Sequence, residues 1–213
     1  MAEATTYTSL IDDMQRYMER GGVDDPNVYE QLPRFIMLAQ KRLVKEAPDI
    51  VSTVPVTSIM EAGNPIIGKP ARWRKTISFN MGTGTGYNTR VAIYERPYEF
   101  LRLYWSDPTQ TGIPLYYADY DFEHWLVAPT PSLVFPFEVL IQEEPGPLDD
   151  SNQTNFYTQY APDLLLHAAL LESTMFLRRA DLMQAEQAFY DRLLQGYGAE
   201  DAQRKDGDRS QDK

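Results

Sequence analysis

The chain has 213 residues, 43% of them hydrophobic and 24% charged, so it can bury a sizeable core and is not disordered as a whole. Its 20 Lys and Arg stand against 31 Asp and Glu, a formal net charge of −11. That balance excludes gripping nucleic acid by counterion release, and no polybasic segment is present to dock on anionic lipid.

Cysteine is absent, which removes disulfides, thiolate metal sites and cysteine nucleophiles and fits assembly in a reducing cytosol. The N-terminus carries acids and no apolar h-region, so no secretory signal is expected. The longest apolar run, residues 164–171, is interrupted by His167 and is far short of the roughly 20 residues that a membrane span needs. Tyr, Phe and Trp together reach 12% and there are 15 Pro, a composition that favours strands with fixed turns and supplies anchors for interfaces.

Residues 7–20 predict a first helix, because Tyr7, Leu10, Ile11, Met14, Tyr17 and Met18 recur at three- and four-residue steps. Gly21 and Gly22 end it. Asp25 and Pro26 then offer an N-cap and a proline at the first helical position. A second helix is expected over 28–46, with Leu32, Phe35, Ile36, Ala39 and Leu43 on one face and Pro48 closing it; Pro33 is either tolerated in its first turns or marks its true start.

From 50 to 142 the pattern becomes that of a mostly antiparallel sheet. Residues 50–60 are rich in β-branched side chains and contain Pro55, which suggests an edge strand or a bulge. Residues 72–81 alternate Trp73, Lys75, Ile77 and Phe79 against polar neighbours; with 89–95 they predict a hairpin whose glycine-rich tip, 82–86, is mobile. A short helix is expected over 98–105, then strands over 115–120, 123–128 and 135–142. Two helices return: one over 162–178, where Leu164, Ala168, Leu171 and Met175 share a face, and one capped by Asp181 and weakened at its end by Gly196 and Gly198. The remainder holds almost no apolar side chains and is expected to be disordered when unbound.

The fold class expected is therefore α+β. Residues 1–49 and 149–198 supply a helical bundle, 50–148 a β-domain with one short helix, and 199–213 a flexible tail.

Chemistry has little support in the sequence. His124 and His167 lie in different elements, and no His-x-x-x-His or Glu-x-x-His spacing gathers a metal site. The 82–86 glycines lack the Lys-Ser/Thr of a phosphate loop and precede a strand rather than a helix. Adjacent acids such as Glu143 and Glu144 or Asp149 and Asp150 are the usual composition of solvated loops, and no nucleophile elbow occurs. No enzyme activity, cofactor or metal is expected. Arg20, Arg34, Lys41, Arg42 and Lys45 give the N-terminal helices a basic side, and Arg72, Arg74 and Lys75 form a smaller cluster; a solvated face explains both most simply.

Four blocks in succession carry a resemblance. Leu32-Pro33-Arg34-Phe35-Ile36-Met37-Leu38-Ala39-Gln40-Lys41-Arg42-Leu43 follows a P-x-F-x-x-x-A-x-x-R-(I/L) pattern. Glu95-Arg96-Pro97-Tyr98-Glu99-Phe100-Leu101 precedes Pro114-Leu115-Tyr116-Tyr117-Ala118. Trp125-Leu126-Val127-Ala128 ends in Pro129-Thr130-Pro131, and Pro162-Asp163-Leu164-Leu165-Leu166 opens the last apolar helix. In this order, over about residues 7–197, they resemble the adaptor proteins of tailed bacteriophages, also described as tail tubular protein A or head-to-tail connector proteins of short-tailed phages.

The resemblance implies a structural, non-enzymatic virion protein: a ring of twelve copies in the neck, assembled in the host cytoplasm. Its expected partners are the portal protein, a tail nozzle or tail hub protein and other copies of itself. Genomic DNA would pass through the channel without specific binding, and no membrane partner is expected. The rival reading is a head-closure protein or an acidic protein-binding module outside the virion. Candidate subunit-interface residues are Leu32, Phe35, Ile36 and Leu43 on one helix, Leu164, Leu165 and Leu166 on another, and Phe189 and Tyr190 on the last. A portal-contacting tail would use Tyr197, Glu200, Arg204, Lys205 and Arg209.

Overall fold

The structure is a computed structural model that describes residues 5–47, 50, 52–83, 88–107 and 109–209, the side chains of 201, 202 and 204–209 excepted. The chain is α+β and divides into two units, Met1–Ser52 with Pro145–Lys213, and Thr53–Glu144.

The first unit is helical. Its α1 (Tyr7–Met18) starts in a capping box: the Thr6 hydroxyl accepts from the Ser9 N–H, and Ser9 Oγ accepts from the Thr6 N–H. Tyr7, Leu10 and Met14 form its buried stripe. A single turn, α2 (Pro26–Tyr29), and α3 (Leu32–Glu46) follow; α3 buries Leu32, Phe35, Ile36, Ala39 and Leu43. A capped turn, α5 (Phe156–Tyr160), leads into α6 (Pro162–Leu177), and α7 (Ala180–Arg209) closes the chain. The central element is α6, which packs against α1, α3, α5 and α7. Its buried residues include Leu164, Leu165, Ala168, Ala169, Leu170 and Leu171, more than one stripe can hold, so it needs cover on several sides.

The second unit has three layers. One sheet has the strand order β1 (Ser52–Met60), β10 (Phe135–Glu143), β3 (Trp73–Thr83), β4 (Thr89–Ala92). A second has the order β2 (Ile66–Gly68), β8 (His124–Ala128), β7 (Tyr116–Asp119), β5 (Tyr94–Glu95). Pro55 lies on β1, an edge strand, where its missing donor costs least. The two sheets face each other over Phe79, Met81, Tyr117, Trp125, Val127, Phe137 and Val139. On β7 and β8 the alternate residues Ala118, Leu126 and Ala128 point the other way and pack with Leu101 of α4 (Tyr98–Tyr104). β10 with β3, β3 with β4, β2 with β8 and β7 with β8 pair antiparallel, whereas β5 with β7 and the two-residue contact of β6 (Thr111–Gly112) with β9 (Thr130–Pro131) are parallel.

Several expectations are corrected. Of the two readings of Pro33, the structure takes the one in which it marks the helix start: the stretch 28–46 is split at Glu30 and Gln31, because Pro33 cannot donate inside a helix and sits in the first turn of α3. Asp181 is not an N-cap but lies in the first turn of α7, hydrogen-bonded to the Arg179 guanidinium. The flexible tail from 199 is instead helix as far as Arg209, through Gly196 and Gly198; that stretch has no proline and is mostly made of strong helix formers. Residues 210–213 lie outside the described residues, as do Pro48 and the 84–87 part of the hairpin tip.

The strict alternation expected over 72–81 also fails. Leu140 pairs with Ser78 and Ile141 with Thr76, so Ile77 is skipped by its partner strand and is 47% exposed. The bulge re-aims Thr76, whose Oγ1 accepts hydrogen bonds from both Trp73 Nε1 (3.1 Å) and Trp125 Nε1 (3.0 Å).

Thr76→Val would orphan two indole donors inside the sandwich and is expected to cost about 1–3 kcal/mol, read as a lower urea midpoint. Thr76→Ser keeps the acceptor and is expected to lie much nearer the parent. Equal midpoints for Val and Thr at this position would contradict the role given to the hydroxyl.

Candidate interaction surfaces

In the helical unit a polar network ties three helices around the buried stripe. Arg42 on α3 donates from Nε (2.8 Å) and Nη2 (2.5 Å) to the Glu172 carboxylate on α6. Arg42 also reaches Glu46 at 3.4 Å, and Tyr190 of α7 donates to Glu46 Oε2 at 2.7 Å. The Tyr190 phenol is pushed up from its ordinary range, first by burial and then by holding its proton against the Glu46 carboxylate. Tyr197 repeats the arrangement one end along: it donates to Asp163 at 2.6 Å, and burial followed by that carboxylate raises it too. These bonds hold α7 against α3 and against the start of α6, leaving residues 198–209 to run on beyond them.

Beside this network lies a groove of about 520 Å³ with Leu171, Met175, Met183 and Ala188 as its apolar lining and Arg42, Gln184, Gln187 and Asp191 as its polar lining. Met175, Phe176, Leu182 and Met183 are exposed, and flexible methionines suit an adaptable contact.

The sandwich unit has a different surface. Around α4, Phe100 meets Tyr104 (4.5 Å between ring centroids) and Tyr116 (5.6 Å), and Trp105 meets Tyr116 (5.6 Å). Two guanidinium groups lie against these rings, Arg96 over Phe100 and Tyr116 and Arg102 over Tyr98.

The residues singled out from the sequence separate into two groups. Leu32, Phe35, Ile36, Leu43, Leu164, Leu165 and Tyr190 are brought together, but in the chain's own core. As placed, they have almost no surface left to offer another copy. Leu166 is half-buried and Phe189 is 37% exposed, so these two retain a face outward. Tyr197 is half-buried against Asp163, and Glu200 is exposed on α7. Arg204, Lys205 and Arg209 lie on the same helix, with their side chains outside the described residues. Sequence periodicity marks apolar positions without saying which chain covers them, and so cannot separate these groups. It also passes over the α4 surface, whose signal in the sequence is the clustered aromatics of 98–105.

His167 is enclosed, with Nδ1 3.1 Å from Glu186 and its ring 4.3 Å from Phe189. His124 pairs with Asp121 in the β7–β8 turn. Among the described residues no group of three or more His, Asp or Glu is placed to hold a metal ion, and no helix is long and apolar enough to cross a membrane.

The family model described as SU10 adaptor protein matches residues 5–212. The chain therefore belongs to that family of bacteriophage adaptor proteins, which are structural components of the virion. Among individual curated proteins, none matches.

The raised phenols give a signed pH dependence. An unfolded tyrosine ionises near 10.0, whereas Tyr190 and Tyr197 hold their protons to higher pH when folded. Their contribution to stability is thus full below pH 10 and is lost as the pH climbs further. The urea midpoint is expected to fall above that pH, and Tyr190→Phe to make the fall shallower. An alkaline fall identical in Tyr190→Phe would show that this phenol does not carry it.

Proposed function

From membership of the SU10 adaptor protein family, we propose that the chain forms a ring of about twelve copies in the virion neck, between the portal protein and a nozzle or tail hub protein. The observation that carries this reading is a family match over nearly the whole length of a chain that contains two separately cored units. A two-sided joint needs two chemically distinct surfaces. The helical unit supplies a methionine-lined groove and a projecting helix, and the sandwich supplies an aromatic surface with two arginines. We assign the helical unit to the portal side and the sandwich to the tail side. No catalytic step is needed for any of this.

Genomic DNA passes through the ring without being gripped. Each copy brings a net charge of −11, and a lumen lined by carboxylates repels phosphates and keeps the duplex in water. A positive lumen potential in the assembled ring would contradict this.

The distal part of α7, with Glu200, Arg204, Lys205 and Arg209, is the portal contact in this reading. Residues 200–209 have Ala202 as their only apolar side chain, too little to build a core, so their order is worth most when a partner covers them.

Two measurements test the proposal. Mass-spectrometric counting of purified virions is expected to give about a dozen copies per particle, as a closed ring fixes the number by symmetry. One copy, or none, would refute it. Deleting residues 200–213 keeps Tyr197 and its bond to Asp163, so the urea midpoint is expected to hold while portal binding is lost; unchanged binding would remove α7 from the portal contact.

A further inference from the structure

We propose that the turn between β7 and β8, residues 120–123, is a pre-formed projection that seats Phe122 in an apolar, basic-rimmed pocket of the tail-side protein. This rests on the assignment of the sandwich to the tail side and names a contact within it.

Phe122 is 73% exposed, the most exposed aromatic side chain among the described residues. A single exposed ring on a mobile loop would mean little. This one stands on a turn tied down from several directions. The Tyr120 and Asp121 N–H groups both donate to the His124 carbonyl, at 3.2 and 3.3 Å, and the Glu123 N–H donates to Asp121 Oδ1 at 2.7 Å. From the other side the Lys69 N–H donates to the Glu123 carbonyl at 2.7 Å. The Phe122 ring meets Trp73 edge-on, 6.4 Å between centroids.

The Lys69 side chain is the unusual part of the turn. It is only 1% exposed, and its ammonium lies 3.6 Å from the centroid of the Trp73 ring. Nζ donates to the Asp119 carboxylate and, at 2.6 Å, to the Asp121 carbonyl. Taking an ammonium out of water is costly unless such groups replace its hydration. A hairpin turn needs no buried amine to close. What the amine adds is a fixed position for the turn that carries Phe122, so the ring meets a partner with little entropy left to lose. Aromatic anchors seated in a partner's pocket carry a large share of binding energy.

The surrounding charges set the rim of that pocket. Asp119, Asp121 and Glu123 are exposed, whereas Lys69 is covered, so with histidine counted neutral every charge the turn shows to solvent is negative. A basic rim complements it. The grooves of a second copy match poorly: beside Met175 the cation is Arg42, already held by Glu172, and between β4 and β10 it is Arg90, already held by Glu138. Position favours the tail-side protein, because Tyr120 lies 5.8 Å from Tyr98 and so joins the turn to the α4 surface.

The test uses virions in which benzoylphenylalanine replaces Phe122, irradiated and mapped by mass spectrometry. Crosslinks to a nozzle or tail hub protein are expected; crosslinks confined to the portal or to other copies of this chain would overturn the occupant. Phe122→Ala removes an exposed ring, so its urea midpoint is expected to stay near the parent's while attachment of the tail-side protein to assembled necks weakens about tenfold or more. Lys69→Met keeps the stem and removes the amine. Assayed where it remains folded, it is expected to weaken the same attachment with Phe122 untouched. Full attachment by Phe122→Ala would overturn the docking role, and full attachment by Lys69→Met the part given to the amine. A parent chain that holds no tail-side protein at all would instead overturn the assignment of the sandwich to that side.

Discussion

The eight residues from Leu164 to Leu171 cannot be covered by one neighbour, and the rest of the helical unit is arranged to cover them. On an ordinary amphipathic helix one stripe is apolar, whereas α6 buries residues around most of its circumference. The cover has to come from both ends of the chain. One side receives α1 and α3 from the N-terminus, another receives α7 from the C-terminus. Because 53–144 forms a unit of its own, the chain leaves the helical core after α3 and returns to it before α5. Truncating Leu164 or Leu171 to Ala would remove contacts to several helices at once, at about 2–5 kcal/mol each.

The polar groups at the margin of that core are arranged to lock it. Arg42 spans Glu172 and Glu46, and Tyr190 and Tyr197 each donate a hydrogen bond to a carboxylate on another helix. Such bonds add modestly to stability when made, and leave costly orphans when one partner is removed. They fix the position of α7 along α6. In that way packing in the core decides which part of α7 is held and which part extends past it. The sandwich solves its own problem differently, with a bulge at Ile77 that turns one threonine hydroxyl toward two indoles.

The helices and most strands are legible in the sequence because their apolar periodicity is local. α1, α3 and α6 follow from steps of three and four, and β7, β8 and β10 from alternation and flanking prolines. The skip at Ile77 is not legible, since a bulge is set by its partner strand and not by its own residues. The helix through Gly196 and Gly198 runs against the expected break because two glycines cost only about 1 kcal/mol each against the strong helix formers around them. Among candidate contact residues, the leucines of 164–166 read as sticky surface until α1, α3 and α7 are placed on them. The Arg96 and Arg102 surface becomes visible only when α4 is laid on the sheet, which brings Tyr98, Phe100 and Tyr116 beside two charges that the sequence pattern does not connect with them.

The family match establishes a phage adaptor, and its chain folds as two separately cored units. In the assembled particle such a chain is suited to a closed ring of copies between portal and tail. Electron microscopy of the isolated neck tests this most directly. One closed layer of about a dozen copies of this chain is expected between portal and tail densities, with an unobstructed channel along its axis. A layer built from another protein, with this chain bound singly or placed outside the neck, would contradict it.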